Sequence, residues 1–226
     1  MDALIHRRAP ASRALTGIVL ALALTLSGCT NPFKPATPEA PDQGGLVADY
    51  STPAKLLLTL QAAMQDKGPA GALAWIDAMA SPTGVFAPGF RAVHDPRVLD
   101  KWKLSSPVVP PEPWDYELEK AFFNNFTSRV YPSYDFVMAF DRDDDSVDDV
   151  TDEAAGTALW HRRYYIAAAL QDGAKIVAIG YVDLSMVRDQ GRWYVLEWKD
   201  RVDPSIGVDP SDEDNVTLGW RRLENR

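Results

Sequence analysis

The chain has 226 residues, of which 46% are hydrophobic and 24% are charged, and its formal net charge is −9. These proportions suit a single globular domain with short appendages. The acidic balance argues against nucleic-acid binding, because an acidic surface and a phosphate backbone repel each other. Cys29 is the only cysteine. The mature domain is therefore expected to have no disulfide, cysteine nucleophile, Cys-based zinc site or iron–sulfur cluster.

The N-terminus has the pattern of an export signal. Three arginines within the first thirteen residues precede the apolar stretch 14–26, which is short for a bilayer span. The stretch ends in Leu-Ser-Gly-Cys at Leu26 to Cys29, which resembles the lipobox of bacterial lipoproteins. The resemblance implies that residues 1–28 are a signal peptide. It also implies that Cys29 carries a thioether-linked diacylglycerol and an N-acyl chain such as palmitate. A plain secretory signal and an uncleaved anchor are the alternatives.

Acylation of Cys29 would make the membrane a partner and the cell envelope the location. Several acyl chains hold a protein stably to a bilayer. In lipoproteins of Gram-negative bacteria, an Asp after the cysteine often signals retention in the inner membrane, whereas Thr30 stands here. The resemblance therefore implies the outer membrane, facing the periplasm, if the host is Gram-negative. Without residues 1–28, which contain three Arg and one Asp, the net charge is −11, so the acyl chains rather than charge must hold the protein.

Residues 29–45 are predicted to be an extended tether, because they contain four prolines, two glycines and few large apolar residues. A single domain is expected over residues 46–226, long enough for one sizeable core. Its first part is predicted to be helical. Capping residues and apolar stripes indicate helices from residue 53 to before Gly68, over 70–79 and over 115–130. The proline-rich stretch 81–114 is expected to be irregular, with a short helix near 94–102.

The second part of the domain is predicted to form antiparallel strands. One strand is expected over 134–140. Three apolar runs follow within 157–200, separated by 171–173 and 189–191, both of which end in glycine and indicate hairpins. Together these predict a sheet of about four strands. The chain after residue 200 is expected to be an irregular acidic tail, pinned by Trp220.

The order of helices and strands carries a family resemblance. The last long strand reads Gly-x-Trp-x-Val-x-x-Trp, at Gly191, Trp193, Val195 and Trp198. This arrangement resembles the nuclear transport factor 2-like (SnoaL-like) cone fold. The resemblance implies an α+β fold, with N-terminal helices packed on a strongly curved, mainly antiparallel sheet and a pocket at the mouth of the cone. Members include isomerase-like enzymes, dehydratases, ligand binders and scaffolding proteins, so the fold leaves the function open.

Three polar residues, one on each long strand, are the candidates for chemistry: His161, Asp183 and Glu197. A histidine beside a carboxylate could act as a general acid–base pair, and a carboxylate inside the cone would have a raised pKa. The alternative is structural, with each carboxylate held in a cross-strand ion pair by Arg162, Arg163 or Arg192. Strict alternation places Glu197 on the same face as Trp193 and Val195. It does not show which face the helices cover.

An acidic run, residues 141–153, partly matches a calcium loop. Asp141, Asp143 and Asp145 stand at its first, third and fifth positions, but the sixth position is Ser146 rather than glycine. The twelfth position is Asp152 rather than glutamate. A solvated loop is therefore the expectation. No pattern for a bound cofactor is present.

These observations predict an envelope lipoprotein that binds a small apolar ligand or a protein partner without catalysis. One alternative is a small isomerase or dehydratase that uses Asp183 or Glu197 as a base, which requires a pocket carboxylate free of arginine. Another is a structural envelope component, docking through an exposed sheet face, for example as a homodimer. That alternative predicts a filled interior and an exposed apolar patch on the sheet.

Overall fold

The computed structural model describes residues 46–66, 68–127, 135–143, 148–170, 173–204 and 216–226. The predicted signal peptide, the acylation site Cys29, the tether and Asp145 lie outside these residues. Residues Gly45–Arg226 form one compact unit.

The described residues contain five α-helices: α1 (Pro53–Gln65), α2 (Pro69–Asp77), α3 (Pro96–Ser105), α4 (Tyr116–Asn125) and α5 (Leu218–Glu224). The predicted caps form as the sequence indicates. The side chain of Thr52 accepts a hydrogen bond from the backbone N–H of Lys55 at the start of α1. Asp115 does the same for the N–H of Leu118 in α4.

They also contain seven β-strands: β1 (Arg91–Val93), β2 (Trp114–Asp115), β3 (Asp135–Arg142), β4 (Val150–Asp152), β5 (Thr157–Leu170), β6 (Gly173–Asp189) and β7 (Arg192–Arg201). The sheet runs in the order β2-β1-β7-β6-β5-β3, and β4 pairs with β5. Every pair is antiparallel except β1 with β7, which is parallel.

The predicted α+β class is confirmed, with helices packed on an open, curved and mainly antiparallel sheet. The sheet has seven strands in the described residues rather than about four. The additional strands β1, β2 and β4 are two or three residues long, which is too short to show a period in the sequence. The hairpin between β6 and β7 turns at Gln190 and Gly191, both of which have positive φ, as a two-residue hairpin loop requires.

The C-terminal part of the chain needs a correction. Residues 218–224 form helix α5 rather than irregular tail, and residues 205–215 lie outside the described residues. Thr217 caps α5 by accepting a hydrogen bond from the N–H of Trp220. The helix is buried along most of its length, including Leu218, Leu223 and Arg222. Its seven residues show too little apolar periodicity to be seen without the sheet on which they pack.

The helices cover one face of the sheet and leave the other partly exposed. Tyr164 and Ile166 of β5 and Val182 and Leu184 of β6 are completely buried on the helix-covered face. On the opposite face, here called the outer face, Leu159 is 39% exposed. The core between helices and sheet is rich in aromatic contacts, such as the stacked rings of Trp75 and Phe123 at 4.8 Å.

A β-bulge in β7 changes which residues face the core. Ser185 pairs with Glu197, whereas the next residue, Met186, pairs with Val195, so Leu196 is the extra residue. Trp193, Val195 and Trp198 are consequently all buried at 0% exposure. Glu197 faces outward, and the expectation from strict alternation was wrong at this position.

Candidate functional site

The structure brings His161 and Asp183 together on the outer face. The two residues are cross-strand partners, and Nδ1 of His161 lies 2.8 Å from Oδ1 of Asp183. The same carboxylate oxygen is 2.9 Å from Nη2 of Arg201. Asp183 is therefore held in an ion pair as well as by the histidine. The arginine that pairs with Asp183 lies at the end of β7 and is none of the three that the sequence suggested, Arg162, Arg163 and Arg192.

Glu197 belongs to a separate ion pair. Oε2 of Glu197 lies 2.5 Å from Nε of Arg91, because the parallel pairing of β1 with β7 sets the two residues side by side. The three arginines considered from sequence have other contacts. Arg162 pairs with Asp149, Arg163 pairs with Asp203, and Arg192 lies over the rings of Tyr50 and Tyr194.

The acidic run makes ion pairs with arginine. Asp143 is only 7% exposed, and its Oδ2 lies 3.1 Å from Nη2 of Arg201. Asp141, by contrast, is exposed on β3. In the described part of the chain, no group of three or more His, Cys, Asp or Glu residues is placed to hold a metal ion.

Sequence reasoning missed a buried polar cluster between the helices and the sheet. Glu119 of α4 and Arg222 of α5 are both completely buried and form a two-pronged ion pair, with Nε and Nη2 of Arg222 at 2.8 and 2.9 Å. The indole N–H groups of Trp75 and Trp114 also donate to the Glu119 carboxylate, at 3.2 and 2.9 Å. Burial lowers the pKa of Arg222, but the adjacent Glu119 carboxylate, together with Asp200 and Tyr164, more than reverses this and the net shift is upward.

Asp200 and Tyr164 form the second half of this cluster. The Tyr164 hydroxyl donates to Asp200 at 2.6 Å and accepts from the N–H of Leu218 at 2.8 Å. The other oxygen of Asp200 accepts from the N–H of Gly219 at 2.6 Å. Burial raises the pKa of Asp200 despite the nearby Arg222, and burial together with Asp200 raises the pKa of Tyr164 well above its ordinary value. The two side chains thus fasten the first turn of α5 to the sheet.

His94 lies at the edge of the cluster and is 6% exposed. Neither ring nitrogen has a hydrogen-bond partner among the described residues. Burial, reinforced by the positive charge of Arg222, lowers the pKa of His94 to about 3. The ring is therefore neutral at physiological pH, and it packs edge-on against Trp114 at 5.5 Å.

The cluster lies in the interior between the helices and the sheet. The guanidinium of Arg222 lies 5.0 Å from the ring of Trp198 and 5.8 Å from that of Phe122. Other large aromatic side chains of the core are also less than 2% exposed: Trp75, Trp114, Trp193, Phe90, Phe123 and Phe126. The interior is a packed core that α5 closes, and the carboxylates predicted for catalysis lie outside it.

One sequence signal could have located Glu119. It stands on the same helical stripe as Phe122, Phe123 and Phe126, at spacings of three, four and seven. A carboxylate on an apolar stripe requires a buried partner. The partner, Arg222, is 103 residues away, and no local pattern points to it.

Two of the surface pockets lined by the described residues are large enough for a small molecule. A groove of about 630 Å³ runs between α2 and α4. This α2–α4 groove is lined by Gly68, Pro69, Ala72, Leu73, Ile76, Asp77, Tyr116, Lys120, Asn124 and Thr127. A second pocket, of about 720 Å³, lies where β1 meets β7 and contains the ion pair of Arg91 with Glu197.

The α2–α4 groove combines an apolar floor with polar walls. Pro69, Ala72 and Ile76 supply the apolar surface. Asp77 on α2 and Lys120 on α4 face it from opposite walls, and neither forms an ion pair with another described residue. Burial and the charge of Asp77 raise the pKa of Tyr116, whose phenol therefore stays protonated.

No protein-family model and no curated protein matches the chain. Among solved structures, a protein of unknown function from Mycobacterium tuberculosis is 13% identical, with a TM-score of 0.49, over 76% of this chain and 85% of its own. AusH from Aspergillus nidulans is 16% identical, with a TM-score of 0.38, over 74% and 93%. A protein of unknown function with a cystatin-like fold, from Nostoc punctiforme, is 10% identical, with a TM-score of 0.39, over 67% and 89%.

In the part of the chain that the structure describes, none of the helices combines the length and the apolar character needed to cross a membrane.

Proposed function

We propose that this protein is an acylated envelope lipoprotein whose domain binds a small amphiphilic ligand in the α2–α4 groove, without catalysis. The groove is the observation that carries the proposal. Its volume of about 630 Å³ lies within the range of ordinary small-molecule sites, which are mostly apolar with a few polar groups that orient the ligand.

The polar groups of the groove suit a ligand with an apolar body and a polar end. Asp77 and Lys120 stand on opposite walls and are not committed to each other or to other described residues. In the pocket at β1 and β7, by contrast, Arg91 and Glu197 already satisfy each other. The groove therefore offers two uncommitted charges of opposite sign to a ligand that brings its own charge.

The ion pairs of the candidate carboxylates weigh against the enzyme alternative. A base of the isomerase type needs a desolvated carboxylate without a cationic partner, so that its pKa rises. Asp183 is held by Arg201 and Glu197 by Arg91. Neither lies in the packed interior, where the acids are Glu119 and Asp200.

The envelope location and the family assignment are parts of the same proposal. The Leu-Ser-Gly-Cys sequence at Leu26 to Cys29 supports acylation of Cys29 and, with Thr30, attachment to the outer membrane of a Gram-negative host. The strand pattern from Gly191 to Trp198 supports a nuclear transport factor 2-like domain. The described helices pack on the sheet as that fold requires.

The groove can be tested with the mature, acylated chain held in lipid nanodiscs. Binding of the fluorescent apolar amine N-phenyl-1-naphthylamine is measured, with empty nanodiscs as background. Ala72→Trp fills the groove and should weaken binding by roughly tenfold or more. Ala70→Trp is the matched control, because Ala70 lies on the same helix, is exposed and does not line the groove. Equal binding by both variants, or no saturable binding by the native chain, contradicts the site.

A filled interior and exposed apolar residues on the outer face favour a second candidate, a structural component that self-associates. Val137 of β3 is 45% exposed, and Tyr165 of β5 is 36% exposed. The oligomeric state of the native chain and of Val137→Lys, measured by analytical ultracentrifugation, tests this structural role. A dimer that the substitution dissociates supports the structural role, and a monomer in both cases removes it.

A further inference from the structure

An exposed apolar loop follows α3. Leu104 is 85% exposed, Val109 is 82% exposed and Val108 is 49% exposed, all within six residues of the chain. The last two residues of α3 and the loop after it, residues 104–111, are together called the apolar loop below. Several large aliphatic side chains this exposed in so short a stretch indicate a surface that meets an apolar partner.

Four backbone groups of the apolar loop are hydrogen-bonded within the protein. The carbonyl of Val108 accepts a hydrogen bond from the indole N–H of Trp102 at 2.8 Å, and the carbonyl of Val109 accepts one from Arg226 at 3.2 Å. The N–H of Ser106 donates to the carbonyl of Trp102, and the N–H of Val108 donates to the Ser106 hydroxyl.

Three of the other loop residues are prolines, at positions 107, 110 and 111, and have no N–H to leave unpaired. Unpaired backbone groups are excluded from the hydrocarbon core of a bilayer, whereas at the headgroup boundary they can stay hydrated. The apolar loop therefore presents aliphatic side chains outward and has few N–H groups to leave unpaired, which suits insertion as far as that boundary.

The charges around the loop do not oppose contact with lipid. Lys101, Lys103 and Arg226 are basic, whereas Asp100 and Glu112 are acidic. The neighbourhood is therefore close to neutral on a chain whose net charge is −9. Long lysine side chains can also keep their ammonium groups in water while their stems lie along lipid.

The tether is long enough to bring the loop to the membrane. Residues 29–45 can span roughly 55 to 60 Å when fully extended. A domain of this size has a radius of gyration of about 16 Å. An anchor at Cys29 would thus allow any face of the domain to reach the bilayer, and it would hold the domain at a high local concentration beside it.

We infer that the apolar loop inserts into the bilayer that holds the acyl chains of Cys29 and so fixes the orientation of the domain on the membrane. Leu104, Val108 and Val109 enter the boundary between headgroups and acyl chains, with Trp102 directly behind them. This inference rests on the acyl anchor of the proposed function.

The test uses the acylated mature chain, in which the Cys29 sulfur is blocked by its thioether. Val109→Cys then introduces the only reactive thiol, which receives a nitrobenzoxadiazole label. The protein is bound to vesicles of phosphatidylethanolamine and phosphatidylglycerol. Label emission is measured with and without phospholipids that carry a nitroxide quencher on their acyl chains. Leu58→Cys is the matched control, because Leu58 is a 62% exposed aliphatic residue on α1.

The inference predicts several-fold stronger quenching at position 109 than at position 58. It also predicts that adding Leu104→Asp lowers the quenching at 109 without changing the circular dichroism spectrum. Equal quenching at positions 109 and 58, in protein that floats with the vesicles, overturns this inference and leaves the acyl anchor intact. Quenching at 109 that requires envelope proteins in the vesicles also overturns it, since the occupant is then a protein. Labelling of two thiols and failure to float show instead that the anchor itself is wrong.

Discussion

At the scale of single residues, the Glu119 carboxylate holds the interior together. It accepts four hydrogen bonds, two from Arg222 and one each from Trp75 and Trp114. Glu119→Ala leaves the Arg222 charge buried without a partner. We expect a loss of about 3 to 5 kcal/mol in the free energy of unfolding, measured by urea denaturation.

The double variant Glu119→Gln with Arg222→Met distinguishes the ion pair from packing. It removes both charges and keeps an acceptor oxygen for one of the two indoles, which donate to different oxygens of Glu119. Removing both partners of a buried pair costs much less than removing one. The double variant should therefore be more stable than Glu119→Ala. If it is equally unstable, the cost of the single change comes from lost volume rather than from an orphaned charge.

His94 makes stability depend on pH in a defined direction. Burial lowers its pKa from 6.5 to about 3, so the unfolded chain binds a proton in this range and the folded chain does not. The stability associated with neutral His94 is fully present above pH 6.5 and is lost progressively as the pH falls towards 3. Between pH 7 and pH 5 the loss should be about 2 kcal/mol.

To check this, the free energy of unfolding of the native chain and of His94→Gln is measured by urea denaturation at pH 7 and at pH 5. Asp200, whose raised pKa acts in the opposite direction, and Arg222 are common to both proteins. Their contributions therefore largely cancel in the difference. The native chain should lose about 2 kcal/mol more than the variant. Parallel pH curves for the two proteins would show that the imidazole is not the titrating group.

At the scale of elements, the docking of α5 depends on a close approach at Gly219. A Cβ at this position would lie 2.5 Å from Oδ2 of Asp200 and 3.0 Å from Nδ1 of His94. Gly219→Ala should therefore detach the first turn of α5. We expect a loss of about 1 to 3 kcal/mol, with faster amide hydrogen exchange in α5. Gly68→Ala is the control, since a Cβ there meets only the flexible side chain of Asp66, at 3.0 Å.

The elements differ in how well a single sequence predicts them, and length is the reason. β5, β6 and β7 are ten residues or longer, so their composition and turn residues locate them. β2 has two residues and forms only because β1 is beside it. The bulge at Leu196 is also invisible to alternation, and it alone moves Glu197 to the outer face.

At the scale of the whole molecule, the fold class was predictable and the content of the interior was not. Periodicity shows that a helix is amphipathic, but it does not identify the residue that a buried polar side chain of that helix contacts. Glu119 and Arg222 are separated by 103 residues. Similarly, Asp183 met an arginine as expected, yet the arginine was Arg201, because the pairing register of β6 with β7 lies beyond local pattern.

The proposed membrane attachment also concerns the whole molecule, and it would depend on one sulfur atom, that of Cys29. Cys29→Ser removes the thiol that would carry diacylglycerol, and with it acyl chains worth ~0.8 kcal/mol for each buried methylene group. We expect the variant to remain unprocessed at residue 28 or to leave the membrane fraction. Cell fractionation and intact-mass measurement check this. Ser27→Ala is the control, since it keeps the cysteine and should stay attached. An unchanged mass and membrane fraction for the Cys29→Ser protein would instead indicate an uncleaved N-terminal anchor.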